Sequence, residues 1–354
     1  CYPASFRFGN VRLYNVYTRE SLCFRFNLKA RKLFIILSIL SVIVLLKKTI
    51  NTLPFWSGGV SMVKQANAEG YISYSFFESI LYTFFASPIT MVSSFVIAID
   101  FFFNRELFSK SQLILTGLML IFGYLATGSK FLLFIPVMSF LIVYYVYKKS
   151  LSKSLIRKMN LWKNLLIILL IFFITLFLIH LLNQKYGGFG ESIYMYLVGC
   201  IPCGDNALNT MKNSQHYYGM VSFNGIFRVL SNFFSLFGIN LPYSKIMNNA
   251  YSEMLFFEKA IKISPTVTYN AFISQFAYFY KDFGITGVFV ISLLMGRIMS
   301  SVYKRLANEN SSFSLLLYLY CCYLILFSVV RSQFFLAPTA MMLIYIIIFF
   351  RDDR

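Results

Sequence analysis

The sequence predicts an all-α polytopic membrane protein with about eight visible transmembrane helices and one large extracytoplasmic loop. Three observations carry this. Segments of about 15 to 20 apolar residues recur along the 354-residue chain. The composition is 58% apolar and 19% aromatic but only 13% charged, well above the apolar share of a soluble domain. The cations sit in connectors between apolar runs, so membrane topology explains the net charge of +19 better than nucleic-acid binding does.

Residues 1–32 carry seven cations (Arg7, Arg12, Arg19, Arg25, Lys29, Arg31 and Lys32) against one acid, Glu20, and read as a cytoplasmic segment. The chain opens on Cys1 rather than Met, so an N-terminal piece is expected to be missing. The first span is 33–50, followed by a polar stretch over 57–71 and a second span over 79–99. Spans 113–127 and 131–147 form a hairpin around the tight turn Thr127-Gly128-Ser129-Lys130. The connector 148–163 has six cations and no acid, and 164–182 is the next apolar run. A polar insert follows. Span 284–303 then ends at Lys304-Arg305. A second hairpin, 314–330 and 334–350, turns at Arg331-Ser332-Gln333. Three regions result: 1–183 with the first five spans, the loop 184–283, and 284–354 with the last three.

Connectors on the N-terminal side carry 19 cations in about 75 residues, and the opposite side carries twelve in about 140. The positive-inside rule therefore puts the N-terminus in the cytoplasm and the insert outside.

The residues exclude several chemistries. No D-x-D occurs to hold a nucleotide-sugar metal, and Asp352-Asp353 reads as a solvated tail. The two histidines, His180 and His216, lack ligand spacing for zinc. Neither G-x-x-x-x-G-K-[ST] nor G-x-S-x-G is present. No metal or other cofactor is expected. A transferase acting outside the membrane must draw its energy from a lipid-borne substrate.

The first hairpin is short. Its first helix of 15 residues is about 22 Å long, against a hydrocarbon core of about 30 Å. Its turn would lie just below the outer surface, with Lys130 beside the free amides of a helix start. A diphosphate suits that position. The competing reading is a lysine that caps the hairpin and snorkels to lipid. Arg331, between two apolar spans, is a site candidate with interfacial anchoring as its alternative. Lys64, Arg228 and Lys281 are outer cations able to contact phosphate or sugar, or simply be solvated. Arg297 reads as a snorkelling residue at the inner face.

The insert is rich in rings and amides (Tyr194, Tyr196, Tyr217, Tyr218, Tyr269, Phe272, Tyr278, Tyr280), which suits carbohydrate as well as a membrane aromatic belt. Its acids Glu191, Asp205, Glu253, Glu258 and Asp282 are candidates for a general base, and spacing selects none. Residues 219–238 suggest an amphipathic or re-entrant helix. Cys200 and Cys203 could form a disulfide outside, and Cys321-Cys322 read as packing.

The stretch T-V-T-Y-N-A-F-I-S-Q-F-A-Y-F-Y-K-D-F-G-I-T-G-V-F-V-I-S-L-L-M-G over 266–296 resembles the segment before a late helix in the O-antigen polymerases, the oligosaccharide repeat unit polymerases. T-G-S-K over 127–130 looks like that family's T-G-S-R turn, with Lys130 in place of the usual arginine; lysine keeps the charge without bidentate geometry. The similarity extends over most of 113–351, and a GT-C-like architecture is compatible with it. The family usually has more than eight spans.

The resemblance implies a glycosyltransferase in the bacterial cytoplasmic membrane, working at its extracytoplasmic face in O-antigen or capsule biosynthesis. Its substrates would be undecaprenyl-diphosphate-linked oligosaccharides. A hydroxyl of one unit attacks the anomeric carbon of the growing chain, and undecaprenyl diphosphate leaves. No nucleotide or metal is needed. Lys130 and Arg331 would stabilise the leaving group, with Lys64, Arg228 and Lys281 behind them. Tyr269 and Asn270 would contact sugar, and Asp282 would position the loop–helix junction or act as base. A chain-length regulator and a flippase of the same pathway are the implied protein partners. Two alternatives are an O-antigen ligase and a lipid-linked oligosaccharide flippase or other transporter. A flippase would be expected to have a dozen or so spans with short loops, which the insert argues against.

Overall fold

The computed structural model describes residues 7–8, 11–12, 28–69, 71–72, 74–103, 109–129, 131–150, 200–212, 214–257, 261–262, 268–269, 273–309 and 311–351. Eleven helices organise them: α1 Leu28–Thr52, α2 Gly59–Glu69, α3 Phe76–Phe103, α4 Lys110–Thr127, α5 Phe131–Ser150, α6 Cys200–Met211, α7 Asn224–Ser235, α8 Ser244–Phe257, α9 Gln275–Glu309, α10 Ser312–Ser328 and α11 Ala337–Phe350. Two 3-10 helices, Leu53–Gly58 and Gln333–Phe335, and two antiparallel pairs of two-residue strands are the remaining regular structure among the described residues.

Five of these helices are long and apolar enough to cross a membrane: α1, α3, α4, α5 and α9. The shorter α10 and α11 are also apolar. The protein is therefore an all-helical polytopic membrane protein. The expected span 164–182 lies outside the described residues.

The enclosed helix is α3. Its most apolar window is 72% buried, against 11% for α9, so α3 forms the centre of the bundle and α9 its edge. Phe95, Val92 and Ile99 of α3 share one core with Phe34, Ile135, Leu316, Leu319 and Met342. Asp100, 2% exposed at the end of α3, is held by Arg31 of α1 at 2.6 Å. A buried carboxylate needs such a partner.

The first hairpin turns as its sequence suggests. Gly128 adopts φ 63°, ψ 13°, and its N–H donates to Tyr124 O at 2.7 Å, closing α4 with a left-handed cap. Helix-end carbonyls need outside donors. Here Thr49 Oγ1 donates to Phe122 O at 3.0 Å, and Trp56 Nε1 donates to Leu125 O at 2.9 Å. Asn67 Nδ2 of α2 donates to Ala126 O at 3.2 Å.

The second hairpin lies at the same end. The Phe131 ring, first in α5, packs on Phe327 near the end of α10 with centroids 4.1 Å apart. The turn itself is pinned from within. Tyr323 Oη donates to Gln333 Oε1 at 2.7 Å, and Gln333 Nε2 donates to Arg331 O at 3.2 Å.

The insert docks on this end through α7. Residues 219–238, expected as an amphipathic or re-entrant helix, contain α7, whose Asn224, Gly225 and Val229 face inward while Ile226, Leu230 and Phe233 are exposed. A Cβ at Gly225 would stand 2.4 Å from Leu336 O, so only glycine permits this contact with the hairpin backbone. Gly284, at φ 66° and ψ −158°, kinks α9. That conformation is essentially restricted to glycine. The kink separates residues 275–283, which belong to the insert, from the apolar helix 285–309.

Candidate functional site

The site forms where α7, α8, the first turns of α9 and the second hairpin meet. Phe335 follows the Arg331 turn and is buried. Its ring stacks on Tyr251 of α8, with centroids 5.0 Å apart and planes 12° from parallel. Tyr278 of α9 meets the same ring edge-on at 5.2 Å. The guanidinium of Arg228, from α7, lies 4.0 Å from the Tyr251 centroid, and that of Arg331 lies 5.2 Å from the Phe335 centroid. Two arginines far apart in sequence thus flank one aromatic stack. A guanidinium over a ring gains cation–π attraction while its N–H edges keep their geometry for an anion. No carboxylate among the described residues pairs with Arg228.

Beside the stack is a polar cluster. Lys281 is 1% exposed. Its Nζ donates to Ser214 Oγ at 2.6 Å and is ion-paired with Glu253 of α8. Tyr217 also hydrogen-bonds Glu253; burial and that carboxylate together push the phenol up to about 12. Glu253 keeps 28% of its side chain exposed. This arrangement corrects one expectation. Lys281 was expected as an outer cation for phosphate or sugar, but its charge is buried and consumed by Glu253.

Asp282 has a different task. It is 0% exposed. Its Oδ1 accepts from the Val221 amide at 3.0 Å and its Oδ2 from the Ser222 amide at 2.6 Å. The Tyr218 amide donates to its carbonyl at 3.3 Å, and His216 Nδ1 lies 3.2 Å from Lys281 O. These bonds clamp the 214–223 loop to the start of α9. A carboxylate so enclosed suits an anchor better than a proton acceptor for substrate.

The other expected residues fall as follows. Lys64 of α2 lays its stem beside the Gly128 turn, 3.3 Å from where a Cβ would stand, so it belongs to the first hairpin rather than the insert. Lys130 and Asn270 lie outside the described residues, as do the side chains of Tyr269, Cys200 and Cys203, and residues Tyr194, Tyr196, Phe272, Glu191 and Glu258. Arg297 is exposed on the far half of α9. Tyr218 is exposed, with φ 50°, and its ring meets Phe283 at 6.2 Å.

The sequence reading missed Tyr251 and Phe335, and did not distinguish Glu253. One signal was present. Tyr278, Lys281 and Asp282 are three and four residues apart, hence on one helical face. Polar residues on a face that also carries a buried ring mark a docking surface.

Below the junction an apolar cavity of about 960 Å³ runs between α9 and α10. Val290, Leu294 and Ile298 line one side, Leu317 and Leu324 the other. His216, Tyr218 and Asp282 mark its polar end. Among the described residues no group of three or more His, Cys, Asp or Glu side chains is placed to hold a metal ion. Comparisons with protein-family models, with curated proteins and with solved structures each give no match.

Proposed function

We propose that the chain is a polysaccharide polymerase of the bacterial cytoplasmic membrane, joining undecaprenyl-diphosphate-linked oligosaccharide repeat units at the extracytoplasmic face with release of undecaprenyl diphosphate. The observation that carries this reading is the pair of arginines, Arg228 and Arg331, on the Tyr251–Phe335 stack. A leaving diphosphate develops charge that preorganised cations stabilise best in a site shielded from water. The stack holds both guanidiniums with little freedom, so little ordering cost remains on binding. The neighbouring apolar cavity supports a substrate that stays in the lipid phase.

In this reading the insert supplies Arg228, Tyr251 and Tyr278, the second hairpin supplies Arg331 and Phe335, and the first hairpin, with Lys64 and Lys130, serves the second lipid-linked unit. Asp282 holds the loop that closes the site. The topology follows the positive-inside rule, and the product is an O-antigen or capsule.

The test is deletion of the gene followed by electrophoresis of surface polysaccharide. Single repeat units, or loss of capsule polymer, are expected. Unchanged polymer refutes the reading, and loss of even the first repeat points to a ligase or flippase. Complementation with Arg228→Ala or Arg331→Ala should leave short chains while the protein stays in the membrane, and Arg331→Lys should restore part of the length. A periplasmic phosphatase fused near Gln215 should be active.

A further inference from the structure

The acids of the insert are not equivalent. Asp282 is enclosed by backbone amides. Asp205 is exposed and, among the described residues, accepts from Asn209 Nδ2, one turn on, at 3.4 Å. Of the described acids in the insert, Glu253 alone is both fixed and reachable. Lys281 and Tyr217 hold its carboxylate, and part of its side chain meets solvent. A carboxylate offers about four lone-pair positions. Two donors leave room for a third.

Its placement follows from its partners. Tyr217 packs in one cluster with Tyr251, Tyr278 and Phe335, and Lys281 is one turn from Tyr278 on α9. The Tyr251 and Tyr278 rings both contact Phe335. Helices α8 and α9 therefore carry the carboxylate, its lysine and two of the rings flanked by arginines.

We propose that Glu253 is the general base of the transfer, accepting the proton of the attacking sugar hydroxyl. This rests on the glycosyl-transfer reading above. As the hydroxyl oxygen bonds to the anomeric carbon, its proton passes to Glu253. The anomeric carbon–oxygen bond breaks, and its electron pair leaves on the lipid diphosphate, beside Arg228 and Arg331. The proton then passes to water through the exposed edge of Glu253. Lys281 is a positioning residue that fixes the carboxylate. A diphosphate leaves readily, so the nucleophile needs little help.

Glu253→Gln keeps an acceptor for Lys281 and Tyr217 but leaves the buried ammonium without its counter-charge. The double variant Glu253→Gln/Lys281→Met removes both charges and so separates folding from chemistry. Each is expressed as the full chain in the deletion strain, with membrane level and protease pattern compared with wild type. Transfer in the double variant should fall by at least about 100-fold, as for loss of a general base, leaving no long polymer. Glu253→Asp should restore part of the chain length. Normal chain length in the double variant overturns the proposal and leaves the polymerase reading standing. Unchanged polymer after gene deletion overturns both.

Discussion

Replacing Asp282 tests the clamp between insert and bundle most directly. Its carboxylate accepts two backbone amides, at 3.0 and 2.6 Å, in a fully buried position. Hydrogen bonds to a charged group contribute about 1.5–3 kcal/mol each, so Asp282→Ala should cost about 3–6 kcal/mol. Against a typical stability of about 5–15 kcal/mol, that is enough to free the 214–223 loop. Asp282→Asn keeps one acceptor oxygen but turns an NH₂ group toward the other amide. It should lose about half as much. Limited proteolysis in native membranes, with cleavage mapped to the loop, measures the opening. Thermal unfolding in detergent gives the stability order: wild type, then Asn, then Ala. Equal protection in all three proteins would refute the clamp and return Asp282 to the list of possible bases.

Three further outcomes follow from single positions. Gly225→Ala puts a Cβ 2.4 Å from the Leu336 carbonyl oxygen; overpacking against backbone should cost about 1–3 kcal/mol or more, read as a lowered unfolding temperature. Gly284→Ala forces a side chain into a glycine-only conformation, costing about 1–3 kcal/mol and exposing the start of α9 to protease. Tyr217 has a folded pKa of about 12 against 10.0 unperturbed, so its neutral form is favoured by folding. The stability it contributes is present below about pH 10 and lost as pH rises through about 12. Tyr217→Phe should flatten that alkaline loss in a pH series of thermal unfolding.

How much was legible depended on range. The Thr127-Gly128-Ser129 turn follows from local chemistry: glycine is the residue that closes a helix at positive φ, and Gly128 does so. The second hairpin turn at Arg331 is local in the same sense. Arg228 and Arg331 could be named as cations flanked by apolar sequence, because charge near a membrane is costly and therefore conspicuous. Their shared aromatic stack could not be named. Tyr251 and Phe335 lie on separate elements, and a ring in an aromatic-rich membrane protein carries no mark of its partner.

The sequence by itself determined the class of the molecule: recurrent apolar runs leave helices as the economical way to satisfy backbone groups in lipid. It also determined the hairpin turns and the place of the polar insert in the chain. Only the tertiary structure decided which charges remain available. Lys281 and Asp282 are neighbours in sequence, the first read as an outer cation and the second as a junction anchor or a base, and both are buried, one with an ion pair and the other with two amides. Burial and pairing depend on what the folded chain brings alongside, here α8 from one side and the 214–223 loop from the other, and no local pattern encodes that. The same packing left Glu253 held by Lys281 and Tyr217 and partly open.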